Sequence, residues 1–215
     1  MSIEQAIFAW LVQTDNPNRL LVSSPPANIL NDAQAMASFY FLLYSWIMTG
    51  FSYELLDKKP GFKELVLSGY MNEQTNLPDL NLFEDCQSLV INFRQVKAIL
   101  SIGIKKWIQF CEKLENLPKL KVEFIDCSKQ VIDQINLVEG FLPHNAHVKS
   151  LFVPIFCEKC NRTFKIHKST ENIKSEIDAI IKNAEGIDCE FFPGCKENFE
   201  VEFNTFSFLK FLDRK

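Results

Sequence analysis

Glycine is scarce in this chain of 215 residues, with only 7 copies, and no excess of basic charge is present. So few glycines argue against the glycine-rich loops that hold phosphates in nucleotide-binding folds. The 23 basic residues are outnumbered by 27 acidic ones, which argues against a general nucleic-acid-binding protein. We find no Ser/His/Asp set, P-loop or dinucleotide fingerprint and no sign of a small-molecule substrate site, so we expect a protein that is not an enzyme.

A secretory signal is also missing from the sequence. Glu4 comes early, no basic residues precede the first apolar run, and no cleavage-like site follows it. The 7 cysteines are an odd number, so a secreted chain would leave at least one thiol unpaired. We therefore expect a cytoplasmic protein in which the clustered cysteines bind metal rather than each other.

Hydrophobic residues make up 47% of the chain and include 20 phenylalanines, enough to bury a core in one domain or two small ones. The longest uncharged run covers residues 33–53 and is long enough to cross a bilayer. Its polar members, Gln34, Ser38, Ser45 and Thr49, form one stripe at the helical period. No Lys/Arg cluster flanks the run. We therefore favour a buried helix or a homodimer contact over a membrane-inserted helix. A membrane helix that packs through small residues would, however, show a similar pattern.

After this run, strand and helix patterns alternate, which is typical of an α/β fold with parallel neighbouring strands. Lys58-Lys59-Pro60-Gly61 has the composition of a turn. The predicted strands cover 51–56, 64–68, 88–93, 120–125 and 148–156, and the predicted helices cover 101–114 and 131–138.

Several strings between about residues 62 and 156 resemble the STAS domain, the fold of anti-anti-sigma factors. The segment 65–76 (LVLSGYMNEQTN) has a strand and a polar turn, and 89–96 (LVINFRQV) has a hydrophobic strand. A Ser-x-Gly step at 101–103 then enters a helix, and 131–141 (VIDQINLVEGF) looks like the family's last crossover helix. The chain is also similar to STAS-like bacterial proteins that append a Cys-rich tail.

This resemblance implies a mixed sheet flanked by helices. It also implies a non-catalytic, anti-sigma-factor-antagonist-like signalling protein, whose partner is another protein, either a regulator or an anti-sigma-like protein. In the family, the helix-entry loop carries an Asp-Ser-Ser-Gly-like string whose first Ser is phosphorylated. Ser101 takes that Ser position and Gly103 takes the Gly, whereas Leu100 replaces the Asp and Ile102 replaces the second Ser.

A hydroxyl at a helix start has a physical role without any family resemblance. Ser101 is predicted to cap the helix, because Ser is a preferred N-cap residue. A phosphate at the same place would find the free N–H groups of the first turn, helped by Lys105 and Lys106. We favour the plain cap over a phosphorylation switch, and we expect a partner surface around this loop.

The C-terminal part carries four cysteines with metal-ligand spacing. Cys157 and Cys160 form a C-x-x-C pair, while Cys189 and Cys195 supply a second, looser pair. Four thiolates can enclose a structural Zn²⁺ with no open position. His167 is either a replacement ligand or an ordinary surface His. The rival interpretation of the first pair is a redox C-x-x-C.

The cysteine pairs predict a small zinc-ribbon-like module. Its strands lie near 164–166 and 199–203, and its inserted helix covers 171–183. In the Phe-rich end, core packing is favoured over a groove for a partner.

The remaining candidates receive ordinary structural interpretations. His144 and His147 are expected in a solvated loop, and the acidic residues between 73 and 85 on a solvated surface. The other three cysteines, Cys86, Cys111 and Cys127, are expected to be small core residues.

We thus predict an N-terminal helical extension (1–59), a STAS-like domain (60–156) and a zinc-binding module (157–215). The expected function is that of a bacterial regulatory protein acting by protein–protein interaction; a switch at Ser101 is the less favoured alternative to a plain cap there. The alternatives are a structural or assembly protein that uses the apolar helix and the Phe-rich tail, and a Cys-dependent redox protein.

Overall fold

A computed structural model describes residues 50–183, 189, 191 and 199–213 of the chain. The chain divides into two compact units, residues 1–50 and 51–215, and the second unit is the one described below. The predicted apolar helix lies outside the described residues except at its end, where Phe51 begins a strand. Within the described ranges, no helix is both long enough and apolar enough to cross a membrane.

A mixed five-stranded sheet forms the first layer, and it confirms the predicted α/β fold. The strands lie side by side in chain order, the first pair antiparallel and the others parallel. Residues 51–59, which we assigned to the N-terminal extension, pair with the second strand and so form part of this sheet. The strands are β1 (Phe51–Lys59), β2 (Phe62–Met71), β3 (Ser88–Ile99), β4 (Lys121–Ile125) and β5 (Ala146–Val148).

Two helices connect the parallel strands at the predicted positions, α1 (Ser101–Glu115) between β3 and β4 and α2 (Lys129–Leu137) between β4 and β5. Alternate residues of β2, β3 and β4 are fully buried, as expected for strands with one face on the core. Trp107 of α1 is the largest buried side chain among the described residues, and its ring centroid lies 5.4 Å from that of Phe93. Its indole N–H donates to the carbonyl oxygen of Phe141 at 2.8 Å, which satisfies the one polar atom of the ring.

The predicted strand 148–156 is wrong in one respect, because it is two strands in two different sheets. β5 ends at Val148, and β6 (Ser150–Cys157) is the central strand of a second, antiparallel sheet. The backbone N–H of Lys149 still bonds to Phe124 of β4, and Leu151 still forms an isolated parallel bridge with Cys127, but β6 takes its strand partners in the second sheet. Apolar periodicity runs through this change of sheet without a break, so it cannot reveal it. The neighbours of β6 are β7 (Arg162–Ser169) and β8 (Phe199–Val201).

Two more α-helices lie in the described part, α3 (Ile173–Asn183) and the short α4 (Thr205–Phe208), and two 3-10 turns cover Leu80–Phe83 and Lys210–Asp213. The first confirms the predicted inserted helix and buries Ile173, Ile177 and Ile180, which follow the helical period. The side-chain amide of Asn136 in α2 donates to the carbonyl oxygens of Ser207 and Phe208 at 3.0 and 2.9 Å, which ties the C-terminal segment to the first sheet's helices.

The Phe-rich end is largely core, as predicted. Phe199, Phe208 and Phe211 are buried, and Phe203 is packed against the core. Phe206 is the exception, because 83% of it is exposed.

Candidate metal centre and the Ser101 loop

The C-x-x-C pair lies on the hairpin that joins β6 to β7. Cys157 is the last residue of β6 and is fully buried, with Arg162 and Phe199 as its neighbours on the two flanking strands. A tight turn follows, in which the N–H of Asn161 bonds to the carbonyl oxygen of Glu158 at 3.2 Å. Asn161 has a φ of 49°, a left-handed conformation that Asn tolerates better than most residues. This turn brings Cys160 back beside Cys157.

Cys189 joins this pair from a distant part of the chain. The sulfurs of Cys157, Cys160 and Cys189 all lie within 4.8 Å of one another, and those of Cys160 and Cys189 are 3.6 Å apart. Two sulfurs that are each about 2.3 Å from a tetrahedral zinc ion lie about 3.8 Å apart. The three thiols can therefore hold a metal ion with little rearrangement.

The two other candidate ligands have different outcomes. Cys195 lies outside the described residues, so its role as fourth ligand stays a prediction. His167 lies on β7, where its Nε2 is 2.8 Å from a carboxylate oxygen of Asp126. It is not part of the described cysteine cluster, and the histidine is engaged in a contact of its own.

The other three cysteines are buried in the core, as predicted. Burial, with a smaller contribution from Glu115, raises the pKa of Cys111 far above its ordinary value. Burial and the adjacent Asp126 likewise raise the pKa of Cys127. Thiols held in the protonated form are poor nucleophiles and poor metal ligands, so Cys111 and Cys127 are packing residues.

The start of α1 differs from the prediction that Ser101 caps it. Leu100 is the N-cap residue, with extended backbone angles, and no side chain of the described residues caps this helix end. Ser101 is the first helical residue, and it is exposed. The reason lies in the backbone, because the N–H of Leu100 bonds to Met71 of β2 at 2.8 Å and places the helix start one residue earlier.

Gly103 has a structural role at this same place. It is buried, and a Cβ atom added to it would lie 2.2 Å from the carbonyl oxygen of Met71 and 2.9 Å from the backbone nitrogen of Asn72. Only a residue without a side chain permits this contact between the first turn of α1 and the end of β2.

The lysines after the Ser101 loop are not both available for an anion. The ammonium group of Lys106 donates to the carbonyl oxygen of Glu73 and, at 2.9 Å, to that of Thr75. It therefore fixes the loop that follows β2. Lys105 is exposed.

The two apolar residues beside Ser101 are unusually open to solvent. Leu100 is 40% exposed and Ile102 is 53% exposed, although leucine and isoleucine are strongly apolar and are usually buried. They lie on either side of Ser101 at the carboxyl end of β3. The result is an apolar surface at the helix start, which we call the Ser101 surface (Leu100, Ser101 and Ile102).

A polar cluster that our sequence reasoning missed joins the two sheets. Asp126 follows β4 directly and has a φ of 55°, and its carboxylate accepts from His167 and, at 3.2 Å, from the hydroxyl of Ser150. That hydroxyl in turn accepts from the N–H of Asp126 at 2.9 Å. The guanidinium group of Arg94 lies 3.9 Å from the other carboxylate oxygen. An acidic residue directly after a predicted parallel strand was the available signal, because ligands of α/β sheets gather at that edge.

The other two histidines also contact carboxylates. The backbone N–H of His144 donates to Glu115 at 2.8 Å, and Nε2 of His147 lies 3.5 Å from Glu123. His147 is part of β5 rather than of the predicted loop, but its side chain is largely exposed, as expected for a solvated position.

A comparison with protein-family models and with curated proteins found no match for this chain.

Proposed function

We propose that this chain is a bacterial regulatory protein with a STAS-like domain that acts by binding another protein. The observation that carries the proposal is the exposed pair Leu100 and Ile102 on either side of Ser101. Exposed apolar side chains on a rigid element are typical of protein–protein contacts. The element is rigid here because Gly103 packs directly on the backbone of Met71.

The same surface supports a switch at Ser101 as part of this proposal. A phosphate there would add about −1.5 to −2 of charge to an otherwise apolar surface, next to the free N–H groups of the first helical turn. The sequence of that turn contains no acidic residue to repel it. A partner that covers Leu100 and Ile102 would then have to bury a charge, which strongly weakens such a contact.

In this proposal, the cysteine cluster is a structural zinc site. Thiolates select zinc among the common divalent ions, and Cys195 would complete a closed set of four thiolates. The ion would fasten the β6–β7 hairpin to the segment around Cys189. A closed site of this kind supports a fold and leaves no coordination position for a substrate.

A partner pull-down from the native host with the full chain tests the proposed surface. The double variant Leu100→Asp and Ile102→Asp, and separately Ser101→Glu, should each reduce recovery of the bound protein by about tenfold or more. Leu137→Asp is the matched control, because Leu137 is 80% exposed at the end of α2 and is not part of the Ser101 surface. If every protein that the parent captures is captured equally well by the two Ser101-surface variants, the proposal is wrong.

A second candidate function, that of an assembly component, has one observation in its favour. Phe206 and Leu137 are the two most exposed large apolar residues of the described chain, and each neighbours the Asn136 contact between α2 and α4. An adhesive surface there would make Leu137→Asp, rather than the Ser101-surface variants, abolish self-association. The same set of variants thus separates the two functions.

A further inference from the structure

The hydrogen-bonded group around Asp126 has the features of a reactive imidazole. His167 is held by Asp126 through Nε2, and within the described part of the chain no hydrogen-bond partner faces its Nδ1. The imidazole is half exposed, at 52%, whereas the carboxylate of Asp126 is only 13% exposed. A carboxylate that accepts the N–H of one ring nitrogen leaves the lone pair on the other, which is the nucleophilic form of imidazole.

Asp126 is itself fixed in position, so this orientation is a property of the fold. Ser150 binds both the backbone N–H and the carboxylate of Asp126. The ring of His167 also packs on that of Phe152, its cross-strand neighbour, with a centroid distance of 5.3 Å. A base that is oriented by a third group is the arrangement that activates side chains for covalent chemistry.

The cationic side chain of Arg94 lies near both Asp126 and Phe152. The guanidinium group of Arg94 lies 3.9 Å from the carboxylate of Asp126 and 5.8 Å from the ring centroid of Phe152. It is 68% exposed and therefore able to reach a group on the neighbouring imidazole. Guanidinium groups bind phosphate oxygens strongly because their paired N–H donors match the phosphate geometry.

We propose that His167 is a phosphoryl-acceptor site, modified at Nδ1 by a small phosphoryl donor of the phosphoramidate class. The lone pair of Nδ1 attacks phosphorus, the P–N bond of the donor breaks, and its already protonated amino group leaves with the electron pair as ammonia. The imidazole thereby becomes positively charged and keeps its Nε2 proton, and Asp126 balances this charge. Arg94 pairs with the transferred phosphoryl group.

His147 provides a control within the same chain. It is also an exposed histidine beside a carboxylate, but its distance to Glu123 is 3.5 Å, and that carboxylate is shared with Lys149 at 3.2 Å. A general reactivity of exposed histidines would label both residues. A reactivity that depends on the Asp126 contact labels only His167.

The test treats the full chain with phosphoramidate and follows the acid-labile phosphoryl group by intact mass and peptide mapping. We expect one group per chain on His167, no label in His167→Gln, and full labelling in His147→Gln. Gln keeps an N–H for Asp126 but has no nucleophilic nitrogen, and a thermal melt confirms that this variant is folded. Asp126→Asn, which suits the left-handed backbone, should slow labelling about tenfold to a hundredfold.

Arg94→Gln changes an exposed side chain and should slow labelling severalfold without changing the melt. A chain that takes up no acid-labile phosphate, or carries it on His144 or His147, would overturn the proposal. Equal labelling rates for Asp126→Asn and the parent would overturn it as well, because the carboxylate would then have no part in activating His167. Acid-stable phosphate on a hydroxyl does not count as support.

Discussion

Gly103 lies so close to Met71 that a single added methyl group would fall 2.2 Å from the Met71 carbonyl oxygen. The contact joins the first turn of α1 to the end of β2, which are 32 residues apart in sequence (103 − 71). The neighbouring N–H of Leu100 bonds to the same carbonyl oxygen at 2.8 Å. One backbone group of β2 therefore determines both where α1 starts and which residue its first turn requires.

Replacement of Gly103 by Ala is expected to destabilise the fold by about 1–3 kcal/mol, although Ala is the better helix former. The added Cβ meets backbone atoms, which cannot move aside as a flexible side chain would. Urea unfolding followed by circular dichroism measures the effect. Gly50→Ala is the matched control, because nothing in the described part of the chain lies within 4 Å of a Cβ built at Gly50. Equal midpoints for parent and Gly103→Ala would contradict the close contact.

Ser101→Ala should change the unfolding free energy by less than about 0.5 kcal/mol, because Ser101 is not the cap of α1 and is exposed. Ser128 offers the contrast, since it is the true N-cap of α2 and its hydroxyl accepts from the N–H of Val131. Ser128→Ala should cost about 1 kcal/mol. Chemical denaturation of the two variants side by side measures both values. If Ser101→Ala proves the more harmful change, our assignment of the two caps is wrong.

The purified protein should contain about one metal ion per chain, which we propose to be zinc. Cys157→Ser and Cys160→Ser should each lose it, and chelation should lower the melting temperature of the parent, because the ion contributes to folding. Cys86→Ser is the control, since the thiol of Cys86 donates to the carbonyl oxygen of Ser88 at 3.0 Å and takes no part in the described cluster. Elemental analysis decides the matter. A purified protein that contains no metal, and whose melting temperature does not change on chelation, would contradict the proposed metal site.

The protein should lose stability at alkaline pH through Cys127, whose pKa burial raises well above the ordinary value of 9.0. Above that pH the thiol ionises in the unfolded chain but stays protonated in the fold. The folded state then binds more protons, so stability falls as pH rises, by up to about 1.4 kcal/mol per pH unit for one thiol.

The measurement for Cys127 is the unfolding free energy between about pH 8 and about pH 10.5, with both values chosen to bracket the thiol titration. Cys127→Ala should make the decline less steep, because it removes one of the two buried thiols whose pKa is raised, while Cys111 still titrates. Ile132→Val is the control, since Ile132 is equally buried but does not titrate, and it should keep the parent's slope. Parallel curves for the parent and Cys127→Ala would show that this thiol titrates alike in both states.

The sequence pattern predicted the α/β class and most elements, because their apolar residues follow the strand and helix periods closely. The pattern failed where a tertiary contact decides. Val148 and Ser150 belong to different sheets, and this follows only from the antiparallel pairing of β6 with β7 and β8. The helix start at Leu100 depends in the same way on a hydrogen bond to β2. The local preference of Ser for the N-cap position cannot predict such a contact between distant parts of the chain.

The candidate sites differ in the same respect. The C-x-x-C spacing is local, so Cys157 and Cys160 could be predicted as a pair, and Cys189 followed from cysteine counting. The contact between Asp126 and His167 joins residues 41 positions apart, one directly after β4 of the first sheet and the other on β7 of the second. The two side chains meet only because the chain changes sheet at Lys149, and the sequence pattern does not predict that change.

The central position of β6 has a consequence for the order in which the protein is made. One edge of β6 pairs with β7 as soon as the hairpin emerges from the ribosome, but the other edge waits for β8, which begins 42 residues after Cys157 (199 − 157). Meanwhile, an apolar strand edge is left with unpaired backbone groups, the kind of edge that recruits other nascent chains. The interval during which Ile155 and Cys157 await their partners is thus a period of aggregation risk during synthesis.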